Sequence, residues 1–307
     1  MPALPVVSVI LPCSASHAGI LHIALACLRV QQFSWPYEVI VVNSHNSDTV
    51  VEVSARFNAR VVRGDGSNTA GSARNIGARA ANSELLAFID ADCCAEPLWL
   101  ASLYTPLLND MIAVGGPVLN QRMFSPVASM DNLMQLVDQA PGRPAGRARE
   151  LPGSNFAIHK HAFDTTGGFP ENISCGEDTL FTQRVSVNWP DQVYFIPSMR
   201  IRHPGRTSLN AFLEHQKQQG FSRGRFRLNL TTRQQRLGRT APGAALAATR
   251  RLAYFFYRTM LWNRRFLPQL IMFSPILLLG LTAWAVGFTR GCRLGASGQD
   301  ESASSSR

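Results

Sequence analysis

Residues 85–100 read LLAFIDADCCAEPLWL, a continuous apolar run ending in two carboxylates, Asp90 and Asp92, one residue apart. An apolar run without alternation suits a strand buried on both faces, and such strands belong to largely parallel sheets. Working outward, short β-rich runs recur at 6–11, 38–42, 60–63 and 112–114, with helix-like periodicity between them at 20–31, 49–57, 71–81 and 97–108. Pro97 stands where a first helical turn tolerates it. Strand followed by helix, repeated, predicts a doubly wound α/β domain, whose ligands gather at the carboxyl ends of the strands. Asp90 and Asp92 stand at such an end. A single Asp there would be an ordinary turn cap. Two like charges closing a buried strand need a positive neighbour, and a divalent cation supplies one. Oxygen ligands favour Mg2+ or Mn2+.

At 307 residues and 46% hydrophobic content the chain can bury a substantial core. The six cysteines (Cys13, Cys27, Cys93, Cys94, Cys175, Cys292) form no C-x-x-C pair and no regular spacing. That excludes a zinc knuckle and a secreted disulfide framework, so they read as reduced and mostly buried. The net charge of +10 is unevenly placed. Residues 1–199 hold 12 Lys and Arg against 17 Asp and Glu, a net −5, whereas residues 200–307 hold 18 against 3, a net +15. The C-terminal third therefore calls for an anionic partner, phospholipid headgroups or nucleic acid.

The sequence there favours lipid. Phe266 to Thr289 is a run of 24 residues without a charge, bounded by Arg264-Arg265 and Arg290. At about 1.5 Å per residue it is long enough to cross a hydrocarbon layer of roughly 30 Å as a helix. Pro268 and Pro275 are tolerated in a spanning helix, and Trp284 suits an interface. Ahead of it, GAALAATRRLAYFFYRTMLWNRR (243–265) mixes aromatics with five arginines that can sort to two faces of a helix in the headgroup plane. More Arg precedes the run than follows it, so the positive-inside rule places the preceding domain in the cytoplasm. The opening MPALPVVSVILPC lacks the basic region and apolar length of a signal peptide. The SGQDESASSSR tail is polar and reads as disordered. The Pro-, Gly- and Arg-rich stretch 140–154 reads as a mobile loop.

Four stretches in order resemble the inverting glycosyltransferases of family 2: VSVILPCSA, EVIVVNSHNSD, GSARNIGARAANSELLAFIDAD, and GSNFAIHKHAFDTTGGFPENISCGEDTLFTQRV. The resemblance covers roughly residues 6 to 225. The resemblance implies a GT-A fold that binds a nucleotide-diphosphate sugar. It places Pro12, Asn43, Ser44, Arg74, Asp90 and Asp92 around that donor. Asn43-Ser44 stands where the family carries paired Asp, and His45 where it usually has Gly. An Asn amide still hydrogen-bonds a base edge. Asp92, with Asp90 beside it, would ligate the metal that bridges the two phosphates.

Glu177-Asp178 opens a helix-like segment, and acids there suit the helix dipole. Direct displacement also needs a carboxylate to take the acceptor hydroxyl's proton. The resemblance puts that base on Asp178, with Glu177 supporting it. His203 follows the strand-like VYFIP and precedes a helix starting near Ser208, a position resembling the one from which GT-A enzymes supply a metal-binding His. Arg223, Arg225 and Arg227 form a basic segment suited to diphosphate or lipid phosphate.

The expected organisation is a GT-A domain at 1–230, a basic juxtamembrane segment at 231–265, a transmembrane helix at 266–289 and a tail at 290–307. The expected activity is inverting, metal-dependent sugar transfer to a lipid-linked or polysaccharide acceptor at the cytoplasmic membrane face. A non-catalytic nucleotide-binding relative is the alternative. A membrane-tethered nucleic-acid binder would explain the +15 but leaves the acidic motifs unused and shows no recognition motif.

Overall fold

The computed structural model describes residues 4–67, 69–226 and 230–304, of which 296–304 by backbone alone. The chain forms two compact units, one of residues 1–121 and 139–204, the other of 122–138 and 205–307. The first unit's last segment ends at 204.

The first unit is built on an eight-stranded sheet. Strand β1 (Val7–Cys13) pairs in parallel with β2 (Tyr37–Asn43) and β4 (Leu85–Ile89), and β2 with β3 (Arg60–Arg63). β9 (Asn155–His159) runs antiparallel between β4 and β6 (Ala113–Gly115), and β10 (Val193–Phe195) resumes parallel pairing beyond β6. The sheet is mostly parallel, as the unbroken apolar runs predict. All five residues of β4 are buried. Helices α1 (Leu21–Arg29), α2 (Asp48–Arg56), α3 (Ala70–Ala80) and α4 (Trp99–Leu108) follow the expected segments, with Pro97 just ahead of α4. α3 lies so close to the sheet that a Cβ at Gly77 would overlap Ile10 and crowd Val42. That close approach explains the glycine of the Arg-Asn-x-Gly element.

A second sheet of three strands, β5 (Cys94–Ala95), β11 (Ile201–His203) and β7 (Val118–Asn120), stands in the order β5-β11-β7. Beneath the functional loops, the rings of Phe88, Phe156, Phe163, Phe169 and Phe181 contact one another in the core. Phe169 is the aromatic of the Gly-Gly-Phe element, so packing ties that motif to β4 and to α7 (Glu177–Asn188), which follows α6 (Lys160–Thr166). The stretch 140–154 is less open than its composition suggests. Gly146–Arg147 forms β8 on the free edge of β10, and Ala148 and Leu151 are buried in the core.

Cys27 and Cys94 form a disulfide between α1 and β5, which corrects the reading of all six cysteines as reduced. The partners lie 67 residues apart, and only the fold makes them neighbours. Cys13, Cys93, Cys175 and Cys292 are free and buried.

The second unit is helical: α5 (Pro126–Leu136), α8 (Leu209–Arg225), α9 (Thr232–Gly238), α10 (Ala241–Trp262), α11 (Leu267–Met272) and α12 (Ser274–Ser304). Ser208 precedes α8 as its N-cap residue. The 24-residue apolar run is not one helix. It breaks between α11 and α12 at Phe273, with Pro275 in the next turn, so the stretch long and apolar enough to cross a membrane is Ser274–Gly295. The backbone stays helical from Arg290 to Ser304, where an unstructured tail was expected. Residues 305–307 and Arg227 lie outside the described residues.

Candidate active site

Strand β4 delivers Asp90 to the carboxyl end of the sheet, where the Cys93 N–H donates to the Asp90 carbonyl at 3.0 Å and turns the chain. The chain then enters β5, which pairs antiparallel with β11, Arg202 opposite Cys94. This pairing brings the last residue of β11 to the acidic turn. His203 Nε2 lies 3.4 Å from Asp92 Oδ2, and His17 Nε2, from the 3-10 turn Ala15–His17, lies 3.9 Å from the same oxygen. Burial alone would raise the Asp92 carboxyl, but the His203 hydrogen bond and the charges of His203 and His17 bring it down to about 2.

Ligand atoms of Asp92, Cys93 and His203 all lie within 4.8 Å of one another. A carboxylate and an imidazole suit a hard or borderline divalent cation. Cys93 fits less well. Burial, then Asp92 and Asp90, push its thiol well above its ordinary value, and it donates to Asp92 Oδ1 at 3.6 Å.

Asp90 is engaged elsewhere. Its Oδ1 accepts from Arg74 Nη2 at 2.9 Å, while Arg74 Nη1 donates to Glu177 Oε1 at 2.8 Å. Arg74 is buried; burial works against its charge, but Asp90, Glu177 and Asp178 more than offset this and hold it above its ordinary value. Burial, then Asp178, raises Glu177 further than Arg74 lowers it. Gly176, at φ +88° where a side chain would be strained, turns the chain into α7. Asp178 follows, its Oδ2 accepting from the Gly153 N–H at 3.0 Å and its Oδ1 from the Thr179 N–H at 2.7 Å. Asn75, next to Arg74, holds the Gly-Gly-Phe loop by donating to the Phe169 carbonyl at 2.8 Å and accepting from its N–H at 2.9 Å.

The donor-side residues separate. Pro12 lies in β1 opposite Val42, and the Ser44 N–H donates to the Cys13 carbonyl at 3.1 Å. The Asn43 amide, expected on the donor side, bonds within its own turn. It donates to the Ser47 carbonyl and accepts from the Ser47 N–H, both at 2.9 Å, closing the turn into α2 as a short polar side chain at a strand end tends to do. Three neighbours escaped the sequence reading. His17 looked like one of several ordinary histidines. Gly153 sat in a stretch read as loose, yet a Cβ there would lie 3.0 Å from Asp178 Cβ and 3.1 Å from the Arg74 guanidinium. Asp65, in the loop after β3, accepts from Ser72 Oγ and the Ser67 N–H, and these bonds lower its carboxyl to about 2. Its signal was present, a carboxylate just past a strand's carboxyl end.

The family model described as Glycosyl transferase family 2 matches residues 8–166. The chain belongs to glycosyltransferase family 2. Chondroitin synthase of Escherichia coli is 36% identical over 117 residues, which make up 36% of this chain and 17% of that protein. Pre-mycofactocin glycosyltransferase of Mycobacterium tuberculosis is 26% identical over 184 residues, 57% of this chain and 39% of that one. The matched region thus spans less than half of either relative. Among solved structures, a mannosyltransferase from Pyrobaculum calidifontis in complex with GDP-Man and Mn2+ aligns with a TM-score of 0.59 at 18% identity, covering 94% of this chain and 88% of that one. That likeness is one of fold, and the GT-A architecture expected for family 2 is the one observed.

Proposed function

We propose that the chain transfers a sugar from a nucleotide-diphosphate donor to a hydroxyl acceptor, with inversion, at the cytoplasmic face of a membrane. The observation that carries this reading is a linked row of side chains: His203 with Asp92, Asp90 with Arg74 and Glu177, and Asp178 held by Gly153. Asp92 and His203 would hold the divalent cation, Mn2+ or Mg2+; when bound, it neutralises charge on the departing nucleoside diphosphate. Asp92, its carboxyl brought down to about 2, is an ionised ligand at neutral pH. Pro12 and Ser44, at the ends of β1 and β2, with Asp65 added, would line the nucleoside end of the donor.

Asp178 acts as the base for the acceptor hydroxyl. Two backbone N–H donors fix its carboxylate, and each oxygen keeps a lone pair for the incoming proton. Glu177 and Arg74 position the site: Arg74 spans Asp90 and Glu177 and keeps the two acidic motifs in register. The acceptor is proposed to be a polysaccharide or lipid-linked saccharide, as the partial likeness to chondroitin synthase suggests.

Nucleoside diphosphate release and product formation, measured over a panel of nucleotide sugars and saccharide acceptors, test the reading. Acceptor-dependent, chelator-sensitive transfer that is lost in Asp178→Asn is expected; full turnover by Asp178→Asn removes the base assignment. The cytoplasmic placement has its own check, and it needs one, because thiols there are mostly kept reduced whereas Cys27 and Cys94 are joined. Protease added outside intact cells should leave the first unit uncut; cleavage of that unit contradicts the placement.

A further inference from the structure

Within the second unit, α8 and α12 lie against one another as a parallel pair in backbone contact. A Cβ at Gly287, Gly291 or Gly295 would run into the carbonyls of Lys217, Phe221 and Arg225 in turn, and one at Gly220 or Gly224 into those of Trp284 and Phe288. Glycines four residues apart on both helices permit this approach. α8, however, is a polar helix carrying Glu214, Lys217, Arg223 and Arg225. α12 cannot enter hydrocarbon along this length without drawing those charges in with it, and charges at that depth are costly. Charge narrows the span as well. Of the 22 residues of Ser274–Gly295 that are long enough to cross, only 274–289 are free of charge, and sixteen residues at about 1.5 Å each reach roughly 24 Å of the roughly 30 Å of a bilayer core.

Besides Leu278, Leu279 and Val286 of α12, the unit exposes apolar side chains on α10 and α11. On α10, Leu246, Ala253, Tyr257 and Leu261 recur at helical spacing and are exposed, with Arg250 at the edge of the same face. The helix buries Ala244 and Phe255, yet two of its arginines are also engaged by other parts of the chain. Arg251 turns inward and donates to the Met134 carbonyl at 2.7 Å, and Arg258 pairs with Asp138 at 3.0 Å. Outside stand Tyr257, Met260 and Leu261, followed by Ile271 and Met272 of α11, each 47% to 64% exposed. Exposed Arg250, Arg264 and Arg265 flank this patch, and the unit holds 17 Lys and Arg against 5 Asp and Glu, a net +12. Apolar side chains rimmed by arginine on a cationic unit complement an anionic lipid surface.

We infer that the second unit is a monotopic membrane anchor: the α10–α11 patch beds into the headgroup layer of an anionic bilayer, and α12 stays locked on α8 without crossing. The inference depends on no step of the proposed sugar transfer.

The test uses the full chain. Purified protein is sedimented with vesicles of phosphatidylcholine alone or mixed with phosphatidylglycerol, and tags at both termini are probed with protease in sealed membrane vesicles. Binding is expected only with phosphatidylglycerol. It should weaken by about tenfold or more in Tyr257→Asp/Met260→Asp and in Arg264→Glu/Arg265→Glu, variants at exposed positions whose melting temperatures should stay near wild type. Both tags should be cut from the same side. Tags on opposite sides, vesicle binding unchanged in both variants, or a patch that instead self-associates in solution without binding vesicles overturns the inference.

Discussion

The two units treat charge in opposite ways. The first, with a net −2 from 13 Lys and Arg and 15 Asp and Glu, buries an arginine and pairs it with carboxylates from two different elements. The second, at +12, turns Arg251 and Arg258 inward and leaves apolar side chains outside. A buried, paired charge cluster is costly to assemble and fixes geometry, which suits chemistry on an anionic donor. An exposed apolar patch with a cationic rim fixes nothing by itself and suits a soft, anionic surface. Position along the chain is a weaker guide to role than the direction in which the arginines point.

The contrast can be broken most strongly at Asp178. Asp178→Asn should lower transfer by about a thousandfold, the range of a positioned general base, with the melting temperature unchanged. Activity and thermal melts on the same preparation check both halves. Arg74→Met should cost stability instead, about 3 kcal/mol in urea unfolding, because it strands Asp90 and Glu177 without their partner. A loss under about 1 kcal/mol would mean that the buried cluster does not hold the first unit together. In the second unit, Gly287→Leu should overpack the α8–α12 contact and cost about 2 kcal/mol. Hydrogen exchange should then quicken in residues 209–225 and 274–295; protection equal to wild type would contradict the backbone contact. The smallest effect is expected at Gly153→Ala, whose new methyl group presses on Asp178 and Arg74. There kcat should fall on the order of tenfold with little change in melting, a drop worth about 1.4 kcal/mol.

Much of the first unit was legible because its strands are buried on both faces. Unbroken runs such as LLAFI mark parallel strands, and the acids that follow mark their carboxyl ends. His203 meets Asp92, and Arg74 meets Asp90 and Glu177. What escaped depended on tertiary register. The β5–β11 pairing that carries His203 to Asp92 involves two-residue and three-residue strands with no pattern of their own. Gly153 looked like a loop glycine because its neighbours are polar, although its amide orients Asp178. Nor does the sequence show that the Asn43 amide bonds Ser47 and closes the turn into α2. In the second unit, composition gave the apolar run but not its break at Phe273. Nor did it show the inward turn of Arg251 and Arg258, which requires Met134 and Asp138 from a distant part of the chain.

The central claim, that Asp92 and His203 form a cation site serving a nucleotide diphosphate, is tested most directly by thermal melting of the full chain with GDP or UDP, each with and without Mn2+. A ligand at a hundred times its Kd stabilises the folded state by about 2.7 kcal/mol. With roughly 2–4 °C per kcal/mol, the wild-type protein should melt about 5 °C or more higher with one nucleotide and Mn2+ together. Asp92→Ala and His203→Ala should lose that shift. A shift that needs no Mn2+, or that survives in both variants, would contradict the account.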